Sequence, residues 1–399
     1  MNRQPFLLPR RPMQQLSNQE AEKLVREGVQ ALQSGRGSLA RSLFNRIAET
    51  GRANAQIWLL LAIACRTEGD MAATEAAVDR LLALEPRMVR GHILKGDCRS
   101  HAGDEGAALG YYESARLLAD GQALPPDLVA ELRRIESAIE ELKERIEARR
   151  EAALVEAGLT PDTRSPRFQQ ALDILSGRKR IFVQEPTAFY FPGLPQIQFY
   201  DPASFAWAAP LEASTAAIRG ELARLLESTG TKDFRPYIQS DPNRPRRDDN
   251  PLLDSTDWSA LFLIENGKIA KETIARCPRT WEAVQAAPLP HMTNSPSVMF
   301  SLLRPGSRIV PHTGMFNTRL VCHLPLIVPP GCGFRVGNEV REWEVGKLFI
   351  FDDTIEHEAW NDSGDDRVVL IFDIWRPELS HRERDEVTAL FASSPLGSR

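Results

Sequence analysis

Apolar and small residues in the first third of the chain return every 34 positions: Gly35, Gly69 and Gly103; Ala40, Thr74 and Ala108; Phe44, Val78 and Tyr112; Gly28, Ala62 and Gly96. Small residues at helix crossings, with an aromatic or branched residue in the second helix, predict stacked helix–turn–helix units. After Pro125-Pro126 the apolar positions Leu128, Leu132, Ile135, Ile139, Leu142 and Ile146 step alternately by four and three, with charges between them. This heptad stripe lasts only about three heptads, which favours a helix capping the last repeat over a dimeric coiled coil. Pro161 and Pro166 end that helix, and a short amphipathic piece follows near Phe168–Leu175. From Ile181 the texture changes to short β-rich runs broken by proline and glycine: Ser297–Leu303, Arg308–Pro311, Arg319–Val328, Gly333–Val336, Lys347–Phe351, His357–Trp360 and Arg367–Trp375.

The 34-residue unit resembles the tetratricopeptide repeat, and Trp58, Gly69-Asp70 and Glu85-Pro86 match its consensus in the middle repeat. His92 occupies the position held by Leu24 and Trp58, which supports packing over ligation. Three units meet the minimum for a continuous stacked core. The expected layout is an N-terminal tail at 1–19, three repeats at 20–120, a capping or coiled-coil helix and linker at 121–165, and a β domain at 166–399. The expected fold is multidomain: an all-α repeat solenoid, then an all-β double-stranded β-helix, or jelly roll, with flanking helices and a mouth able to host a metal. In the last run Val368, Leu370, Phe372 and Ile374 alternate with Arg367, Val369, Ile371, Asp373 and Trp375, so this strand is buried over much of both faces.

Composition narrows the function. With 49 basic and 54 acidic residues the formal charge is −5, which gives no electrostatic reason for nucleic-acid binding. Arg244-Pro245-Arg246-Arg247 is offset by Asp248 and Asp249 and is read as a solvated loop that could serve as a lid. No apolar run suits a signal peptide or a membrane span, so a cytoplasmic protein is expected. The five cysteines form no metal spacing, and their odd number in a reducing compartment argues for free thiols.

Candidate chemistry is concentrated near the C-terminus. Pro311-His312-Thr313-Gly314, Arg319-Leu320-Val321-Cys322-His323 and Phe351-Asp352-Asp353-Thr354-Ile355-Glu356-His357 follow one another, with Arg367 ten residues after His357. Histidines 45 positions apart on β-like segments can give neutral imidazoles to one first-row metal, and the arginine can clamp a carboxylate bidentately. At the start of a buried strand a lone guanidinium is costly without an anion, either a ligand carboxylate or an internal partner such as Asp373 or Glu358. Asp352 and Asp353 are better explained as local caps on backbone amides than as metal ligands. His92, His101, His291 and His381 lack partners at ligand spacing.

From about Trp258 to Pro377 the block resembles the aspartyl/asparaginyl β-hydroxylase family, on His312-Thr313-Gly314, Asn317-Thr318-Arg319, Gly346-Lys347-Leu348-Phe349-Ile350-Phe351-Asp352-Asp353, Glu356-His357-Glu358 and Asp373-Ile374-Trp375-Arg376-Pro377. The resemblance implies that His312 and His357 bind Fe(II), that Ser301, His323 and Arg367 hold 2-oxoglutarate, that Arg319 lies near the substrate, and that Trp258 is near the active site. Val321 stands where the family often has an arginine. Gly314 stands where most two-histidine iron oxygenases have a carboxylate, so water or another group must fill that corner, and a carboxylate substituted at 314 is expected to be tolerated. The implied activity is 2-oxoglutarate-dependent hydroxylation, with molecular oxygen, of Cβ in an Asp or Asn of a protein or peptide recruited by the repeats. The alternatives are the same chemistry on a lipid or free amino acid, a halogenase, and a non-catalytic interaction protein; a coiled-coil reading of 128–146 would make the chain a homodimer.

Overall fold

The computed structural model describes residues 16–240 and 250–393. Most of the tail expected at 1–19, and the Arg244–Arg247 loop, lie outside them. The chain divides into two compact units at Ser176/Gly177, eleven residues beyond the expected boundary at 165/166.

The first unit is helical. Three helix pairs follow one another: α1 (Asn18–Gln33) and α2 (Gly37–Ala48), α3 (Ala55–Thr67) and α4 (Met71–Leu84), α5 (Val89–His101) and α6 (Glu105–Ala119). Each pair turns at Gly35, Gly69 or Gly103, whose φ values of +69°, +74° and +75° suit glycine. Asp70 and Asp104 accept hydrogen bonds from the amides of Ala73 and Ala107, so the residue after Gly69 and the residue after Gly103 each cap the next helix. A Cβ at Gly28 would lie 2.6 Å from the Phe44 ring, and one at Gly96 would overlap Tyr112, which explains the small residues at the crossings. His92 donates from Nε2 to the Pro86 carbonyl at 2.8 Å. Two further helices follow, α7 (Pro126–Glu156) and α8 (Pro166–Leu175). Leu128, Ile135, Ile139 and Leu142 of α7 pack on Ile93, Ala108, Tyr112 and Ala115, so the heptad stripe is spent inside the chain as a cap on the third pair.

The second unit is β-rich. Its strands are β1 (Phe199–Tyr200), β2 (Arg235–Pro236), β3 (Trp258–Glu265), β4 (Lys268–Ile269), β5 (Val298–Leu303), β6 (Arg308–His312), β7 (Arg319–Ile327), β8 (Cys332–Val336), β9 (Glu339–Arg341), β10 (Phe349–Phe351), β11 (His357–Asn361) and β12 (Arg367–Trp375). One sheet runs β1-β10-β7-β12-β5-β3-β2, with β4 on β3; the other runs β6-β11-β8-β9. The helices α9 (Ala208–Ala213), α10 (Thr215–Thr229) and α12 (Pro278–Gln285) contribute to a core with Val368, Leu370, Phe372 and Ile374 on one face of the large sheet, while α11 (Lys271–Arg276) and α13 (His381–Ser393) complete the helices. On the opposite face a second core joins both sheets, through Trp258, Leu303 and Val321 of the large sheet and Ile309, Phe334, Val336 and Ala359 of the small one. Period-2 alternation along β12 therefore divides a helix-facing row from a row aimed between the sheets. All five cysteines are free and buried. Among the described residues no helix is long and apolar enough to cross a membrane.

Candidate functional site

A cavity of about 330 Å³ lies between the sheets, lined among others by Trp258, Ser301, His312, Arg319, His323, His357 and Arg367. All seven residues singled out from the sequence thus meet in one place. His312 ends β6, His357 starts β11, and strand pairing sets them opposite one another with ring centroids 4.1 Å apart. Their Nδ1 atoms lie 2.8 and 3.1 Å from the carbonyls of Val310 and Ile355. A carbonyl only accepts, so Nδ1 carries the proton and Nε2 keeps its lone pair for a metal. Burial lowers the pKa of His312 and carries that of His357 well below the ordinary value, so both imidazoles stay neutral.

Arg367, at the start of β12, is 1% exposed. Its Nε and Nη1 have no hydrogen-bond partner, and among the described residues no carboxylate lies within ion-pair distance of it. The internal acids considered for it are engaged elsewhere: Asp373 with Arg319 at 2.7 Å, Glu358 with Arg335 at 2.5 Å. The guanidinium lies 4.6 Å from the centre of the Trp343 ring, and burial pulls its pKa down to about 10. Nearby, His323 is buried with Nδ1 unpartnered, and burial, aided by the Arg367 charge, holds it well below the usual histidine range. Ser301 pairs with Val369 across β5 and β12 and accepts a hydrogen bond from Trp258 Nε1 at 3.1 Å, leaving its hydroxyl proton free to donate. One cation and several unsatisfied polar atoms thus converge where a small dianion could satisfy them.

Among the described residues no group of three or more His, Cys, Asp or Glu is placed to hold a metal. Asp352 is fully engaged, accepting from Thr354, from Gln184 at 2.6 Å and from the buried Arg376 at 2.7 Å. Asp353 instead turns toward Gly314. A Cβ on Gly314 would overlap its carboxylate, so the tolerance expected for a carboxylate at 314 is corrected: the corner beside that glycine already contains one. Burial pushes the Asp353 carboxyl up to about 7, and Arg319 Nη2 lies 3.6 Å from its Oδ2. Arg319, expected near the substrate, is thus held by two acids of its own chain.

Residues 212–377 match the family model described as aspartyl/asparaginyl beta-hydroxylase. That part of the chain is similar to the aspartyl/asparaginyl β-hydroxylase family. Similar relatives include an ornithine lipid ester-linked acyl 2-hydroxylase of Rhizobium tropici, 39% identical over 45% of this chain and 60% of its own length. The aspartyl/asparaginyl beta-hydroxylase of Homo sapiens is 35% identical over 36% of this chain and 19% of its own. This chain therefore spans less than two thirds of either relative. Over 33% of its length the chain is also similar to the type III secretion translocator chaperone SycD of Yersinia enterocolitica, 17% identical over 90% of that structure, with a TM-score of 0.31.

The sequence had not pointed to Trp343 under Arg367, to Asp353 beside Gly314, or to Asp373 on Arg319. Asp373 was detectable in principle, since it shares the inward parity of Arg367 on β12. Trp343 lies in the connection between β9 and β10, where no period marks it.

Proposed function

We propose that the hydroxylase-family domain uses Fe(II) and 2-oxoglutarate to hydroxylate an unactivated C–H bond, within two sheets read as a double-stranded β-helix. The buried, unpartnered guanidinium of Arg367, facing the cavity of the His312/His357 pair, carries this reading, since such a charge is stable only beside an anion. The donor set fits both groups: two neutral imidazoles for a first-row metal, and Arg367, His323 and Ser301 for a carboxylate. With oxygen, the bound iron and co-substrate supply the oxidising chemistry, in which R–H, O2 and 2-oxoglutarate become R–OH, succinate and CO2. His312 and His357 would hold the metal through Nε2, their tautomers fixed by the carbonyls of Val310 and Ile355. Arg367 would hold a carboxylate of the co-substrate, its guanidinium packed 4.6 Å from the centre of the Trp343 ring.

The relatives' names cover both aspartyl/asparaginyl and ester-linked acyl targets. The repeats are read as a recruiting surface, and the cytoplasm as the working compartment. A halogenase is disfavoured because the Asp353 carboxylate sits beside Gly314, where a halide would meet it. The test is succinate release from 2-oxoglutarate by the purified iron-loaded chain, lost in His357→Ala. Release that persists in that variant contradicts the reading.

A further inference from the structure

Gln184 lies ahead of the family match, which begins at residue 212, yet it is only 6% exposed. Every polar atom of its side chain is used. Nε2 donates to Asp352 Oδ2 at 2.6 Å and to the Pro195 carbonyl at 3.0 Å, while Oε1 accepts from Asn317 Nδ2 at 3.0 Å. Asp352 opens the turn that leads to His357, and Asn317 lies in the loop that follows His312. One buried amide therefore joins the two loops that flank the histidines. The backbone beyond it extends the join: the Glu185 amide donates to the Thr354 carbonyl at 2.8 Å, the Thr187 amide to the Gly314 carbonyl at 2.9 Å, and the Phe189 amide to the Met315 carbonyl at 3.0 Å. Arg376, just past β12 and wholly buried, closes the same network by donating from Nη1 to Asp352 at 2.7 Å and to the Asn317 carbonyl at 3.1 Å.

The two histidines depend on this network unequally. His312 takes its orientation from the Val310 carbonyl, inside β6, whereas the carbonyl that orients His357 is that of Ile355, in the turn before β11. The Ile355 amide donates to the Asp352 carbonyl at 3.2 Å, and Asp352 Oδ1 accepts from the Thr354 amide at 3.0 Å. The placing of Asp352 therefore sets that of the Ile355 carbonyl, and Gln184 and Arg376 place Asp352. Among the described residues no third His, Cys, Asp or Glu joins the pair. Misdirecting one imidazole thus removes half of the protein's donors to a metal.

We infer that Gln184 is a positioning residue for the metal pair: its amide holds the loop after His312 and the turn before His357 at the spacing that aims His357 Nε2 beside His312. This rests on the oxygenase reading above, in taking the two histidines as ligands. Local order and binding are linked reciprocally, so if order in 184–191 raises metal affinity, bound metal raises that order by the same factor.

The test uses the full chain and Mn(II). Gln184→Met keeps the volume of the side chain and removes its three hydrogen bonds. Its Mn(II) affinity should fall about tenfold at a temperature where circular dichroism shows the variant fully folded. Gln184→Asn, one methylene shorter, keeps an amide that cannot reach both Asp352 and Asn317, and should lose affinity likewise. Wild-type affinity in a folded Gln184→Met, with only the melting temperature lowered, overturns the inference. If neither variant folds, hydrogen exchange of the wild type decides: Mn(II) should slow exchange at the amides of Glu185, Thr187 and Phe189 about tenfold. Exchange there that ignores Mn(II), while the amides of 353–357 slow, overturns the inference as well. A wild-type chain that binds no Mn(II) overturns the oxygenase reading, and the inference falls with it.

Discussion

A buried arginine with no acid beside it is the most exacting feature of the site. Arg367→Ala should weaken 2-oxoglutarate binding by about 3 kcal/mol, because it strips a charged partner from a buried carboxylate. Arg367→Lys should recover only part of this, since the planar fork is lost; an unchanged Michaelis constant for 2-oxoglutarate in both would remove the clamp. Gly314→Asp should lose metal binding or fold poorly, because the new side chain overlaps Asp353, and wild-type metal affinity in that variant would contradict the packing described. The histidines set a pH dependence. Burial lowers both pKa values, so metal affinity should survive below the ordinary histidine pKa of about 6.5 and fail only at lower pH. In the same window the unfolded chain binds more protons than the folded one, so the metal-free fold should lose stability as pH drops through that value. Mn(II) titrations from about pH 8 to 5 check this, and a midpoint at or above the ordinary pKa would contradict it.

At the level of single elements, local rules were enough where one segment determines its own shape. The three turn glycines, the strands β5 to β8 and β10 to β12, and the helix at Phe168–Leu175 could all be read from spacing and turn residues, whereas the three-residue β9 could not. β3 was not recognised as a strand, because Trp258–Glu265 is buried nearly throughout and shows no alternation to separate strand from helix. The two-residue strands β1 and β2 exist only because β10 and β3 offer them edges, a tertiary fact. Likewise, the sequence brought Arg367 and Asp373 together as possible partners, whereas strand register pairs Asp373 with Val321 and brings Arg319 to it. The helix crossings yield a direct check: Gly28→Ala must push the Phe44 ring aside and should cost about 1 to 3 kcal/mol, lowering the melting temperature of the helical unit by several degrees. An unchanged melting curve would show that the crossing has room the structure does not display.

For the whole molecule, the two compact units have separate cores, so a chain beginning at Gly177 should fold and still release succinate slowly from 2-oxoglutarate without substrate. Equal activity of that truncated chain and the full one on the physiological substrate would show that the repeats recruit nothing. The order of helical and β-rich regions was legible because periods of 34 and 2 differ so sharply, while the pairing of sheets that closes the cavity was not, since it depends on contacts far apart in sequence. The central claim is that the histidine pair and Arg367 form one metal-and-anion site. Calorimetric titration of 2-oxoglutarate into the full chain, with and without Mn(II), tests it most directly. The account predicts one equivalent bound only when metal is present, with binding lost in His357→Ala and weakened at least a hundredfold in Arg367→Ala. Binding of 2-oxoglutarate that is independent of the metal and unchanged in both variants would contradict it.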